Sequence, residues 1–389
     1  MRADARLINR LSFWSRDRAT LIRAAVAIAA ASILLALIID QVREKRLAFV
    51  EDFIEQQLKD SEGGVPEGFR QSPPEPVPSP DVDDWGGAGE YLAAREAGAW
   101  ALVRYFYRDV GRAALGGFAA IALFAGVIWY AIVKQLTAIP LRRWAVGVAA
   151  VALGMLSTPP VLVVASLLNL HENGEPLNDL IFFVAGVGLR EETCKIAFFL
   201  PLLPLALRER SPALAAGLGG LVGLGFAIAE NIYSYSLEVG LWGRFLTANF
   251  FHISLTSLLA LACYDFCRWP KHRWEKLVAT FLGVVAVHGV YDFFAMHDIL
   301  EANILPIIVF GFFTFFYLRQ ITEVRPREHQ KVSPLGVFCV GSALLLGLAL
   351  NFHLWDTPFF SAMGFGAFGN SFAGTATLAF LFINEFRDA

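Results

Sequence analysis

Apolar residues run through this chain in long blocks, with no alternating or narrow amphipathic stripes. Ten blocks can be drawn, at about 22–40, 113–133, 145–169, 179–207, 212–236, 245–266, 277–297, 303–319, 335–355 and 359–383. A helix needs roughly 20 apolar residues to cross a bilayer, so the pattern predicts an all-α, polytopic transmembrane helical bundle of about ten spans. Polar breaks divide it further. They predict a cytoplasmic segment 1–21, a first anchor 22–40, an extracytoplasmic insert 41–112, a second span with a basic loop 113–144, a core 145–320, and a C-terminal pair of helices 321–389.

The connections alternate in charge. Arg2, Arg6, Arg10, Arg16 and Arg18 precede the first block, and Lys134, Arg142 and Arg143 follow the second. Arg208 and Arg210 follow the fourth, Arg268, Lys271, Arg273 and Lys276 the sixth, and Arg319, Arg325, Arg327 and Lys331 the eighth. The other short connections, 171–179, 238–243, 298–303 and 356–358, are acidic or neutral. Basic loops stay cytoplasmic, so both termini are expected in the cytoplasm and the acidic loops outside. The Arg-rich start lacks the short charged region and small-residue cleavage site of a signal peptide, so the first block is expected to be retained.

Composition agrees. The chain of 389 residues is 56% hydrophobic and 17% charged, where soluble domains carry about a quarter charged residues. Its net charge of -3 gives no bulk attraction to nucleic acid. Cys194, Cys263, Cys267 and Cys339 form no Cys-x-x-Cys pair and fall in or beside apolar blocks, which predicts free thiols. The 41–112 insert begins amphipathic and passes through a Pro-rich linker, SPPEPVPSPDVDD. It ends with Trp100, Tyr105, Phe106 and Tyr107, residue types that favour the membrane interface. It reads as a cap or a substrate-approach element.

Two local features bear on packing. Pro159-Pro160 should kink or break the third span. Gly219 and Gly223 in the fifth form a small-xxx-small pair that lets another helix come close.

Against this apolar background the ionisable residues are confined to four successive spans. The fourth carries Glu191, Glu192 and Lys195, the fifth Glu230 beside Asn231, the sixth His252, and the seventh His288 and Asp292. A charge at the bilayer centre costs at least about 2.5 kcal/mol, so such a block is a functional-site hypothesis. Helical spacing puts Lys195 within reach of Glu191 (i,i+4) and Glu192 (i,i+3). Glu191 and Glu192 point about 100° apart. His288 and Asp292 share a face, as do Phe226 and Glu230. Counting the rise along each helix brings these groups to one level between the midplane and the outer surface.

Such groups permit several chemistries. A carboxylate or histidine can act as general base toward water, with a second histidine or acid stabilising an oxyanion. Two histidines and a glutamate can instead hold zinc with an open position. Buried acids and bases also build the proton relays of transporters, although no internal duplication of the kind transporters show is present. A non-enzymatic sensor or scaffold is the remaining alternative. Ser254 and Ser257 are expected to bond to their own helix carbonyls, and Tyr233 and Tyr291 to pack.

Four motifs in this order support one resemblance. EETCK fits E-E-x-x-K, FAIAEN fits F-x-x-x-E-N, His252 opens H-x-x-x-T, and HGVYD fits H-x-x-x-D. Over about 145–320 the chain resembles the PrsW family of intramembrane proteases, which is similar to the CAAX prenyl endopeptidase and bacteriocin-processing enzymes. The resemblance implies cleavage of a membrane-associated protein, for PrsW-like members an anti-sigma factor cut on the outer side. It implies Glu191 as the base and His288 as an oxyanion donor. Glu230 stands where the CAAX enzymes have a histidine and Asp292 where they have an amide, so His252 becomes a candidate water partner. The expected site is thus Glu191, Glu192, Glu230, His252, His288 and Asp292, supported by Lys195 and Asn231. The expected chemistry needs no metal. The alternative is zinc held by Glu230, His252 and His288.

Overall fold

The computed structural model describes residues 118–137, 139, 143–168, 170–236, 244–296, 304–325, 333–356 and 367–386, with isolated positions between 23 and 34 and at 101. Segment 1–21, most of the first span and nearly all of the 41–112 insert, including the Pro-rich linker and the interfacial aromatics, lie outside the described residues.

Among the described residues every element is helical. The chain runs through α1 (Phe118–Leu136), α2 (Trp144–Leu156), α3 (Thr158–Leu168), α4 (Pro176–Ile181), a π-helical turn Phe182–Gly188, α5 (Leu189–Phe199), a 3-10 turn Leu200–Leu202 and α6 (Leu203–Arg208). It continues through α7 (Pro212–Ser236), a second π turn Arg244–Ala248, α8 (Asn249–Arg268), α9 (Pro270–Met296), α10 (Ile304–Val324), α11 (Pro334–Asp356) and α12 (Ala367–Phe386).

Among the described residues, five stretches are long and apolar enough to cross a membrane: Trp144–Ala165, Pro212–Ile232, Phe245–Arg268, Pro270–Met296 and Ile304–Val324. Shorter apolar helices cover Ala122–Leu136, Pro334–Leu345 and Ala373–Phe386. These eight fall on the second, third and fifth to tenth expected spans.

The fourth expected span is helical but segmented. Its π turn precedes the charged residues, and Pro201 and Pro204, which cannot donate to a helix ladder, bracket the point where α6 restarts. The Pro159-Pro160 kink takes the form of a one-residue break. Ser157 closes α2, with its hydroxyl donating to Gly154 O at 2.6 Å, and both prolines sit in the first turn of α3, where a missing N–H costs little. One expectation is corrected. The basic stretch after the sixth span is not a loop, because only Trp269 (φ -141°, ψ 66°) separates α8 from α9. Pro270 opens α9, and Lys271, Arg273 and Lys276 stand on its first turns, with Lys276 donating to Asp265 Oδ2 at 2.7 Å.

α7 and α8 form the centre. Each is 94% buried over its apolar window, against 28–39% for the helices around them. Glycine makes this possible. A Cβ at Gly219 would run into Ala260, and one at Gly223 into the His252 carbonyl, so the expected small-residue pair is the α7–α8 contact. On the opposite face of α7, Gly225 and Gly154 bring α2 close enough that a Cβ on either would strike backbone. An aromatic layer seals the far side. Trp129 Nε1 donates to Phe245 O at 2.6 Å, and Phe250 packs edge-on to Phe310 and Tyr317.

Contacts at the helix ends pair connections that share a charge sign. Arg143, before α2, bonds Glu209, after α6, at 2.5 Å. Arg325, after α10, lies over the Phe386 ring at the end of α12.

Candidate active site

Lys195 is the hub of the site. It lies on the second turn of α5 and is fully buried. Its Nζ donates to Glu192 Oε1 at 2.8 Å and Glu191 Oε2 at 3.1 Å, so the i,i+3 and i,i+4 spacings are both used. The same nitrogen lies 2.9 Å from His252 Nδ1 on α8 and 4.0 Å from the centroid of the Phe226 ring on α7. An ammonium has three protons and no lone pair, and the three polar contacts account for all of them.

That count sets the tautomers. His252 Nδ1 must accept, so its Nε2 carries the proton, and it lies 2.8 Å from Glu230 Oε2. His288 Nδ1 donates to Glu192 Oε1 at 2.8 Å, leaving its Nε2 facing Asp292 Oδ2 at 3.3 Å and Glu191 Oε2 at 3.6 Å. Each imidazole is therefore held by a carboxylate from another helix. The two rings meet edge to face, 5.3 Å between centroids.

Exposure divides the carboxylates. The Glu192 side chain is sealed, whereas 11% of Glu191, 25% of Asp292 and 27% of Glu230 is accessible. Glu192 thus lies at the floor between a lysine and a histidine, and the other three line the rim through which water reaches the site.

The depth of α9 is set by two glycines. A Cβ on Gly289 would lie 2.6 Å from the Phe183 backbone in the π turn, and one on Gly188 would lie 2.6 Å from Val285 O. This crossing carries His288 up to Glu192.

All six expected catalytic side chains converge on one site. Asn231, the expected support, donates to Asn249 Oδ1 at 2.8 Å, and Asn249 donates to Phe245 O at 3.1 Å. The pair ties α7 to the start of α8. Sequence reasoning missed Asn249, although a third polar residue three positions before His252 in an apolar run was a usable signal. It also missed the Gly188–Gly289 crossing, whose signal was a glycine beside each polar motif. Ser254 donates to Phe251 O at 2.8 Å as expected, but Ser257 makes no such bond to its helix. Tyr291 packs on Phe251, 4.4 Å between ring centroids. The side chain of Tyr233 lies outside the described residues.

The arrangement also bears on a metal. Glu191, His252 and His288 each present a ligand atom, all within 4.8 Å of one another. Two imidazoles and a carboxylate suit a zinc with an open fourth position, and a carboxylate behind each histidine is the usual outer support of such ligands. The residues therefore fit a divalent metal. The set differs from the expected one: Glu191 takes the place of Glu230, which is committed to orienting His252.

A family model described as PrsW family intramembrane metalloprotease matches residues 142–318. No curated protein and no solved structure matches the chain.

Proposed function

We propose that the chain is a membrane peptidase of the kind described by the PrsW family intramembrane metalloprotease model that matches residues 142–318, an endopeptidase cutting a membrane-associated protein near the outer interface. The observation that carries the proposal is the convergence of Glu191, Glu192, His252 and His288 around one buried lysine. Buried charge networks add little stability, so an assembly of this cost is explained by chemistry.

The reaction is hydrolysis. Water adds to the amide carbonyl, its proton passes to a carboxylate, and the departing nitrogen takes a proton. Glu191 is the proposed acceptor: it is the accessible member of the glutamate pair and its Oε2 faces His288 Nε2. His288 is the proposed donor toward the oxyanion, steered by Glu192 and Asp292. Glu230 holds the His252 ring. Glu191, His252 and His288 are also the residues that would hold the metal, in which case His288 Nε2 would serve as a ligand instead of as the oxyanion donor. When bound, it would polarise the carbonyl and acidify a water, and this reading is favoured over the metal-free one by the family description and the donor set.

The alternating loop charges support an orientation with both termini inside, and the family resemblance supports a bacterial cytoplasmic membrane. That orientation puts the accessible rim toward the outer face and makes a substrate such as an anti-sigma factor suitable. The core 145–320 then carries the chemistry, and the 41–112 insert is placed to meet substrate.

Glu191→Gln keeps shape and removes the base. With a co-expressed single-span membrane reporter, cleavage read by immunoblot should fall by about 100-fold or more. Undiminished cleavage by this variant overturns the proposal.

A further inference from the structure

Lys195 Nζ lies among the very atoms that would hold a divalent metal. It contacts Glu191 Oε2 and His252 Nδ1, at 3.1 and 2.9 Å. A neutral imidazole has a single lone pair, and with Lys195 Nζ donating to Nδ1 the Nε2 of His252 carries the proton, 2.8 Å from Glu230 Oε2. That lone pair is at Nδ1 and is engaged by the ammonium. A metal that takes His252 through Nδ1, with Glu191 and His288, needs the same lone pair and competes for the Glu191 carboxylate. Two cations cannot share that lone pair. At such separations like charges repel strongly even at an effective dielectric constant of about 20.

The third contact of Lys195 is different. Glu192 Oε1, 2.8 Å away, lies outside the metal-binding set. Glu192 is sealed from solvent and also bonds His288. It can keep the ammonium as a partner after the other two contacts are given up.

We propose that Lys195 is a tethered counter-cation that fills the metal position of the site and yields it when a divalent metal binds, with Glu192 as its anchor. The proposal rests on the metal-binding reading of the site. Its physical content is an exchange of cations. Without metal, the ammonium compensates the Glu191 and Glu192 carboxylates, so the buried cluster survives in an apolar bundle. With metal, the ammonium withdraws toward Glu192. Lys195 thereby weakens the metal affinity and keeps the empty site folded. It is a positioning residue and takes no part in bond making.

The test is zinc binding by the purified full-length protein in detergent, stripped with a chelator and titrated against a chromophoric zinc indicator. Lys195→Met keeps the length of the side chain and removes its charge. It should bind one zinc at least about tenfold more tightly than the wild type, about 1.4 kcal/mol. Its melting temperature should also rise more on zinc addition. His252→Ala in the same background should abolish both gains. Equal or weaker zinc affinity in folded Lys195→Met overturns the proposal, as does the failure of both proteins to bind zinc. Should Lys195→Met not fold, the double variant Lys195→Met/Glu192→Gln removes one carboxylate with the lysine and keeps all three ligands. The same gain is expected of it, and its absence is equally fatal. Cleavage is scored separately. A chain that cleaves its reporter without any zinc exchange sinks this inference and leaves the peptidase standing. Zinc exchange without cleavage does the reverse.

Discussion

Glu192→Ala should destabilise the folded protein by about 3–5 kcal/mol, the usual cost of removing one partner of a buried ion pair. The Glu192 side chain is wholly sealed, and its Oε1 accepts from both Lys195 Nζ and His288 Nδ1 at 2.8 Å. Alanine removes both acceptors at once. Lys195 then has only Glu191 and His252, and the Nδ1 proton of His288 loses its partner in a site that water reaches only from the rim. Glu192→Gln should cost less, because the amide oxygen can still accept although the charge is gone. Glu191→Gln should cost least of the three, since Glu191 is partly accessible and its absent charge leaves the stronger Lys195–Glu192 contact intact. Denaturant unfolding in detergent micelles gives the order. A Glu192→Ala protein as stable as Glu191→Gln would mean that the floor of the site is not held by this carboxylate. In the same variant cleavage should also collapse, because His288 is aimed by Glu192.

The second large effect comes from a residue with no chemistry. Gly289→Val should lower cleavage by about 100-fold or more, the cost of displacing a catalytic group by roughly 1 Å. A Cβ there would meet the Phe183 carbonyl carbon and oxygen at 2.6 Å, and these are backbone atoms of the π turn that cannot swing aside. α9 must move outward, carrying His288 away from Glu192 and Glu191. All six polar side chains remain, so a loss of activity would report geometry alone. Gly283→Ala is the matched control. It lies on the same helix, is exposed, and its added Cβ meets nothing within 4 Å. It should leave activity unchanged and raise stability by up to about 1 kcal/mol, since glycine is a poor helix former. If Gly289→Val cleaves like Gly283→Ala, the crossing does not position His288.

Much of the site was legible because helices are periodic. Once Glu191, Glu192 and Lys195 were placed on one helix, their mutual reach followed from 3.6 residues per turn. The same holds for His288 and Asp292. The close approach of α7 and α8 followed from Gly219 and Gly223. Ionisable residues confined to consecutive apolar helices also had to meet, since a charge facing lipid is costly.

What could not be read was which partner each group takes across helices. Local spacing leaves open whether Lys195 serves one glutamate or both, and it says nothing of His252, 57 positions away. The expected zinc set named Glu230. The fold commits Glu230 to the His252 ring and brings Glu191 to the histidines, because the Gly188–Gly289 crossing sets the depth of α9 against the π turn. Segmentation of the fourth span was likewise hidden, since hydropathy reports the apolarity of a run and not the continuity of its hydrogen-bond ladder. The sequence by itself determined a helical membrane bundle, the residues that form its polar block and their order along each helix, because these depend on composition and helical period. Only the tertiary structure decided that Glu192 is floor, Glu191 is rim and Lys195 is the hub, because burial and pairing depend on how closely neighbouring backbones pack.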